Sequence, residues 1–208
     1  MLTVLLQHHR HAPPAAWCNG FGQCGHDCSP APRRQGAGCP AGTLSTHISS
    51  DKTTITLGFV EFQLYQGPGI MPEDRSKTCT VNIGLSYPLG SAFAVIDTTY
   101  RGTALLDVSI TASIASSYRI TGDQAGDATL QTQATLPGVL VGDYTRTVAV
   151  PAGSVVSSPC GAGTSGLQFT TRLALSSSNA AASGSVLEDP PFSLSYQQLH
   201  LEWRDCKR

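Results

Sequence analysis

Residues 79–87 read Cys79-Thr80-Val81-Asn82-Ile83-Gly84-Leu85-Ser86-Tyr87, with apolar side chains at the odd positions and polar or small ones between them. Side chains alternate between the two faces of a β-strand, so this pattern predicts a strand with one face in a core and the other in water. Pro88 lacks the N–H that a strand donates and is expected to end it. One-sided alternation is typical of half-solvated antiparallel sheets.

The same period of two recurs on both sides of this strand. Residues 44–48 and 54–59 flank the polar cluster Ser49-Ser50-Asp51-Lys52 and are interpreted as a hairpin. Residues 66–74 are interpreted as a loop. Further strands are predicted at 92–100, 106–114 (even positions inward), 118–120, 128–135, 143–150, 167–175 and 199–203. The sequence therefore predicts an all-β fold, an antiparallel two-sheet β-sandwich, with a barrel as the alternative.

The chain divides at about residue 36. Residues 36–206 form the predicted sandwich domain, whereas residues 1–35 are atypical and are expected to be unstructured. The apolar run from Met1 to Leu6 is too short for a secretory signal and has no basic residue before it. The cluster Cys18, Cys24 and Cys28 with His26 does not have zinc-finger spacing, so no metal site is predicted there.

The other four cysteines lie within the predicted domain: Cys39, Cys79, Cys160 and Cys206. They are typical of two disulfides formed in an oxidising compartment, and three pairings are open. We favour Cys39–Cys79 with Cys160–Cys206, because each pair joins the cysteines nearest in sequence. The predicted fold is thus a sandwich stapled by two disulfides.

Composition excludes some partners. The net charge is −1, charged residues make up 13% of the chain, and no basic patch indicates nucleic acid. No run approaches the roughly 20 apolar residues of a membrane-spanning helix, so the protein is not expected to be integral to a membrane.

Catalytic signatures are not found. The chain has neither a Gly-x-Ser-x-Gly elbow nor a His-Glu-x-x-His motif. His47 and His200 are expected on the solvent faces of strands. The aspartates of the domain are expected mostly at turns or strand ends: Asp97, Asp107, Asp123, Asp127 and Asp143. We therefore predict no catalytic residue, no metal and no cofactor.

One possible ligand surface consists of Tyr87, Tyr100 and Arg101. Aromatic rings at strand ends beside an arginine can stack on sugar rings. In the alternative interpretation, which we favour, the tyrosines close the edge of the core and Gly102 serves a bulge.

Several short motifs occur in a fixed order along the domain. They are Gly38-Cys39-Pro40-Ala41-Gly42, Ser49-Ser50-Asp51, Gln66-Gly67-Pro68-Gly69, Lys77-Thr78-Cys79, Tyr87-Pro88-Leu89-Gly90, Tyr100-Arg101-Gly102, Ser158-Pro159-Cys160-Gly161 and Trp203-Arg204-Asp205-Cys206. In this order the chain resembles the domain of unknown function 4360, a family of small secreted and mostly fungal proteins. The resemblance implies a signal peptide, an extracellular location, four cysteines and no assigned activity. The chain departs from the family pattern at its N-terminus, at Thr78, where Asn is usual, and at residues 188–191.

The resulting functional hypothesis is a secreted, extracellular and non-catalytic sandwich that contacts cell-wall carbohydrate or another extracellular protein. Two alternatives remain open. One is a polysaccharide-active enzyme whose carboxylates meet only in the fold, and the other is a coat or matrix protein that self-associates through strand edges.

Overall fold

The computed structural model describes residues 3–5, 34–67, 69–121, 129–160, 163–179 and 192–206. This part of the chain contains thirteen strands and two short 3₁₀ turns, Pro72–Arg75 and Ala152–Ser154. The strands are β1 (Thr3–Leu5), β2 (Arg34–Gln35), β3 (Leu44–Ile48), β4 (Thr54–Phe59), β5 (Gln63–Leu64), β6 (Ser76–Ser86), β7 (Ser91–Leu106), β8 (Ile110–Thr121), β9 (Thr129–Leu136), β10 (Leu140–Ala149), β11 (Thr164–Ser177), β12 (Phe192–Ser193) and β13 (Tyr196–Asp205).

The strands form two antiparallel sheets, which confirms the predicted fold class. The six-stranded sheet has the order β1-β6-β11-β8-β9, with β2 also pairing with β6. The seven-stranded sheet has the order β3-β4-β13-β7-β12-β5, with β10 pairing along the other side of β7. The inner faces pack together through large buried side chains such as Phe93, Phe169 and Phe192.

The predicted strands match the observed ones closely, with one notable error. In β6 the odd positions from Cys79 to Leu85 are buried, and β3 and β4 form the predicted hairpin. The proposed strand 106–114 is wrong at its start, because Leu106 ends β7 and a turn separates it from Ile110. The Ile110 N–H closes that turn on the Asp107 carbonyl at 2.9 Å. Val108, predicted to face inward, is therefore 77% exposed.

Part of residues 1–35 differs from the expected unstructured segment. Residues 3–5 and 34–35 form β1 and β2, which pair with β6. The cysteine and histidine cluster around Cys18, Cys24, His26 and Cys28 lies outside the described residues.

Both disulfides follow the favoured pairing. Cys39–Cys79 ties the segment before β3, in one sheet, to β6 in the other, with a Cα separation of 5.3 Å. Cys160–Cys206 ties the segment before β11 to the end of β13, with a Cα separation of 5.7 Å. Each bridge thus joins elements that belong to different sheets.

A hydrogen-bond network crosses the core between the sheets. The Gln197 side chain, on β13, accepts a hydrogen bond from the Thr171 hydroxyl at 2.8 Å and donates one to Tyr118 Oη at 3.0 Å. Tyr118 is also hydrogen bonded to Thr98 at 2.7 Å. The whole network is buried and consists of Thr98, Tyr100, Ser116, Tyr118, Thr132, Thr171 and Gln197.

Each side chain of the network has at least one hydrogen-bond partner within it. Tyr100 Oη is hydrogen bonded to Thr132 Oγ1 at 2.9 Å, and burial raises the pKa of this tyrosine far above its usual value, so it stays protonated. Among the described residues, the only buried side-chain nitrogen or oxygen without a partner is Arg75 Nε. A satisfied polar network of this kind specifies one arrangement of the two sheets.

We expect Tyr118→Phe to lower the free energy of unfolding by about 1–3 kcal/mol, because it removes the hydroxyl that is hydrogen bonded to both the buried Thr98 and the buried Gln197. Tyr144→Phe is the matched control. It removes a single bond from Tyr144 Oη to the Ser193 carbonyl and is expected to cost about 0.5–1.5 kcal/mol. Urea denaturation with the disulfides intact measures both. Equal losses in the two variants contradict a central role for the network.

We expect replacement of Cys160 and Cys206 by serine to destabilise the domain by about 4 kcal/mol, since the bridge closes a loop over a sequence separation of 46. The corresponding Cys39 and Cys79 variant should lose more, because it also places hydroxyls at buried positions. Urea denaturation tests the order of the two losses, and non-reducing peptide mapping tests the pairing. A mixed pairing contradicts the structure.

Candidate functional site

The two tyrosines of the predicted ligand surface lie in the core. Tyr100 is 0% exposed and belongs to the buried network. Tyr87 is 4% exposed, with its hydroxyl bonded to Ser165 at 2.8 Å and its ring against Phe93. Neither ring face is open to a ligand, so this part of the prediction is wrong and the favoured core-edge interpretation describes both residues.

Arg101 does lie on the surface, on the outer face of the seven-stranded sheet. Its guanidinium carbon lies 5.1 Å from the ring centroid of Tyr196, which is opposite Arg101 on β13. Gly102, the next residue, occupies a position on the inner face of the same sheet. A Cβ at Gly102 would overlap the Ser193 carbonyl, so this glycine permits the close approach of β12 and does not form the expected bulge.

The outer face around Arg101, which we call the Arg101 face, is built from rows of side chains in register. One row contains Arg101 with Tyr196 on β13 and Thr145 on β10. The adjacent row runs across five strands through His47, Thr56, Gln198, Thr99 and Thr147. Gln198 Nε2 donates to Thr56 Oγ1 at 3.3 Å, and the Thr99 and Thr147 hydroxyls are 2.8 Å apart.

A histidine–aspartate pair lies in the third row of the Arg101 face. His47 is exposed as predicted, but His200 is half-buried and its Nδ1 is hydrogen bonded to Asp97 Oδ1. Asp97 was expected at a turn or strand end and instead lies within β7, opposite His200. An aspartate that orients a histidine also occurs in hydrolases. Within the described residues, however, no hydroxyl or thiol is hydrogen bonded to this histidine.

One concavity of the described residues is a groove on the outer face of the six-stranded sheet. Its volume is about 420 Å³, within the roughly 300–1,000 Å³ of typical ligand sites. We call it the β9 groove. It is lined by Ala115, Ser116, Ser117, Gln131, Thr132, Gln133, Thr170 and Arg172, of which Ser116 and Thr132 direct their side chains into the core.

Strand register explains the shape of the β9 groove. Arg172, Ala115 and Gln133 lie side by side on β11, β8 and β9, so the small Ala115 forms a low floor between two long side chains. The neighbouring row contains Thr170, Ser117 and Gln131. Arg172 Nε donates to Ser76 Oγ at 2.9 Å, which fixes one wall.

The lining of the β9 groove is suited to binding. Amides and hydroxyls both donate and accept hydrogen bonds, and the guanidinium of Arg172 donates. The residues that line it include no carboxylate, imidazole or thiol. Among the described residues, no group of three or more His, Cys, Asp or Glu side chains is placed to hold a metal ion.

No helix in the described part of the chain is long and apolar enough to cross a membrane.

Sequence reasoning missed the β9 groove, and of the Arg101 face it named Arg101 alone as a possible ligand residue. The β9 groove depends on three strands, of which β11 begins more than 25 residues after the end of β9 and more than 40 after the end of β8. A usable signal was present: β9 alternates Thr129, Gln131, Gln133 and Thr135 with buried residues, and no charge interrupts it.

The chain matches known proteins over nearly the whole domain. A family model described as domain of unknown function (DUF4360) matches residues 33–206. An "Uncharacterized secreted protein" of Arthroderma benhamiae is 32% identical over 171 residues, which cover 82% of this chain and 68% of that protein.

Similarity to solved structures is slight. TmCBM61 in complex with beta-1,4-galactotriose aligns with a TM-score of 0.29 and 8% identity, covering 84% of this chain and 88% of that one. A CBM4 structure aligns with a TM-score of 0.22 and 12% identity, covering 70% and 86%. These low TM-scores carry no argument about ligands.

Proposed function

This chain belongs to the family of domain of unknown function 4360, and we propose that it is a non-catalytic domain that binds extracellular polysaccharide in the β9 groove. The observation that carries the proposal is the lining of that groove, which is rich in hydrogen-bonding groups and contains no carboxylate, imidazole or thiol.

Location outside the cell is supported by two findings. The relative from Arthroderma benhamiae is named as secreted. The two disulfides of this chain belong to an oxidising compartment, because the cytosol keeps most thiols reduced. Polysaccharides are the abundant hydroxyl-rich polymers that a fungal-type secreted protein meets there.

The chemistry of the β9 groove fits such a polymer. Each sugar hydroxyl donates one hydrogen bond and accepts others, which matches the side-chain amides of Gln131 and Gln133 and the hydroxyls of Ser117 and Thr170. The methyl group of Ala115 supplies an apolar floor for the C–H face of a sugar ring. A groove open to solvent also allows a long chain to pass through it.

The non-catalytic part of the proposal follows from what glycoside hydrolysis needs. Glycosidases generally use two carboxyl groups about 5–10 Å apart on either side of the scissile bond. The lining of the β9 groove provides none. The one histidine–aspartate pair described above lies on the opposite sheet.

We expect Ala115→Leu to weaken polysaccharide binding at least about tenfold, since the larger side chain fills the groove floor and forms no hydrogen bonds. Ala174→Leu is the matched control. Ala174 lies on the same face of β11 in the row with Ser113, outside the groove, and this variant should bind as wild type.

Co-sedimentation with insoluble chitin, β-1,3-glucan, cellulose and xylan, followed by calorimetry with soluble oligomers, measures these affinities. Binding that is equal in the two variants contradicts the groove. Release of reducing ends from any of the polymers by purified protein contradicts the non-catalytic assignment.

Self-association is the second candidate function, and β9 is the observation that favours it. This strand ends the six-stranded sheet within the described residues, and Thr129–Leu136 carries no charged side chain. Natural edge strands usually carry charges or prolines that prevent pairing with another chain. Sedimentation of wild type and of Thr135→Lys tests this candidate: a larger species that Thr135→Lys dissociates supports it, and a monomeric wild type contradicts it.

A further inference from the structure

We propose that the Arg101 face is a second ligand site, on the sheet opposite the β9 groove, and that it binds a carboxylated sugar residue. The inference does not depend on the proposed groove function, because it rests on a different sheet and on a charged side chain.

Arg101 is held in place without being neutralised. Its guanidinium group lies over the Tyr196 ring, with the guanidinium carbon 5.1 Å from the ring centroid, and this contact restricts the side chain. A cation fixed by an aromatic ring loses less conformational entropy on binding than a mobile one. Arg101 is therefore preorganised for a ligand.

The charges around Arg101 leave it available for an anion. Among the described residues, Lys77 pairs with Asp74, His200 with Asp97 and Arg204 with Glu202, and Arg101 belongs to none of these ion pairs. Asp97, on the same face of β7, is engaged by His200. Asp143 is another carboxylate of the described residues on this face; it lies opposite Thr103, one position further along the face.

A carboxylate is an anionic group carried by sugars that fits a planar guanidinium. It accepts two parallel N–H···O bonds from the arginine fork, which adds direction as well as charge. The surroundings of Arg101 are then suited to the rest of a sugar. Thr145 in the same row, and Gln198 and Thr147 in the adjacent row, offer hydroxyl and amide groups.

The width of the Arg101 face favours a polymer over a compact ligand. The adjacent row crosses five paired strands, so neighbouring strands about 4.8 Å apart give it a width of roughly 20 Å. Sugar units on both sides of the carboxylated residue would lie on this row of hydroxyl and amide groups. We therefore infer an acidic polysaccharide as the ligand class.

The test compares oligogalacturonate with a neutral galactose oligomer of equal length, by calorimetry on the full chain. We expect the acidic oligomer to bind at least about tenfold more tightly than the neutral one. Arg101→Gln should abolish this difference, and Arg101→Lys should restore only part of it, because lysine lacks the planar fork.

Arg146→Gln is the matched control for charge. Arg146 is an exposed arginine on β10 that lies opposite Tyr100 and so belongs to the other face of the sheet. It should leave binding unchanged, while Asp143→Asn should strengthen it by removing a repulsive carboxylate. Ala115→Leu, which blocks the β9 groove, should also leave oligogalacturonate binding unchanged.

Three outcomes overturn the proposal. Equal losses in Arg101→Gln and Arg146→Gln show that only net charge matters. Equal affinity for the acidic and neutral oligomers shows that the face does not recognise the carboxylate. A polyglutamate of the same charge that binds as tightly as oligogalacturonate shows that the face recognises an acidic peptide. Urea denaturation of Arg101→Gln confirms that each comparison is made on folded protein.

Discussion

Gln197 links the two sheets across the middle of the core, where its amide accepts from Thr171 and donates to Tyr118. An amide buried without partners would cost several kcal/mol, so β13 is held in the one register that gives Gln197 both bonds. A slip of one residue would turn every side chain of the strand to the opposite face. With Gln197 inward, Tyr196 and Gln198 must lie outward, and these residues help to form the Arg101 face.

The same constraint shapes the β9 groove. Ser116 and Thr132 are held inward by the network, through bonds to Thr171 and Tyr100. Their sequence neighbours on β8 and β9 therefore point outward, and these include Ala115, Gln131 and Gln133. Both candidate sites are thus consequences of one buried set of hydrogen bonds, even though no side chain of the Arg101 face contacts a side chain of the groove walls.

The sequence was sufficient for the features that depend on local pattern. The alternation of apolar and polar residues predicted β6 and the β3–β4 hairpin. Pairing each cysteine with the one nearest in sequence predicted both disulfides. It failed where a long-range contact decides the outcome. Gln197 is polar and buried because partners from the other sheet satisfy it, which alternation alone cannot show. The alternation of apolar and polar residues continues through the turn at Asp107, and the pattern therefore wrongly predicts that Val108 faces inward.

The Tyr100-Arg101 motif shows the same limit for function. The sequence placed a tyrosine beside an arginine, yet successive residues of a strand point to opposite faces, so Tyr100 serves the core and Arg101 the surface. The aromatic ring that Arg101 contacts comes from Tyr196, across the sheet. Because sheets in a sandwich pack about 10 Å apart, the Arg101 face and the β9 groove are separated by the full thickness of the core. One polymer chain cannot readily occupy both, so two ligand sites on this fold would join separate chains. Such a protein gains avidity in a dense matrix even when each site binds weakly.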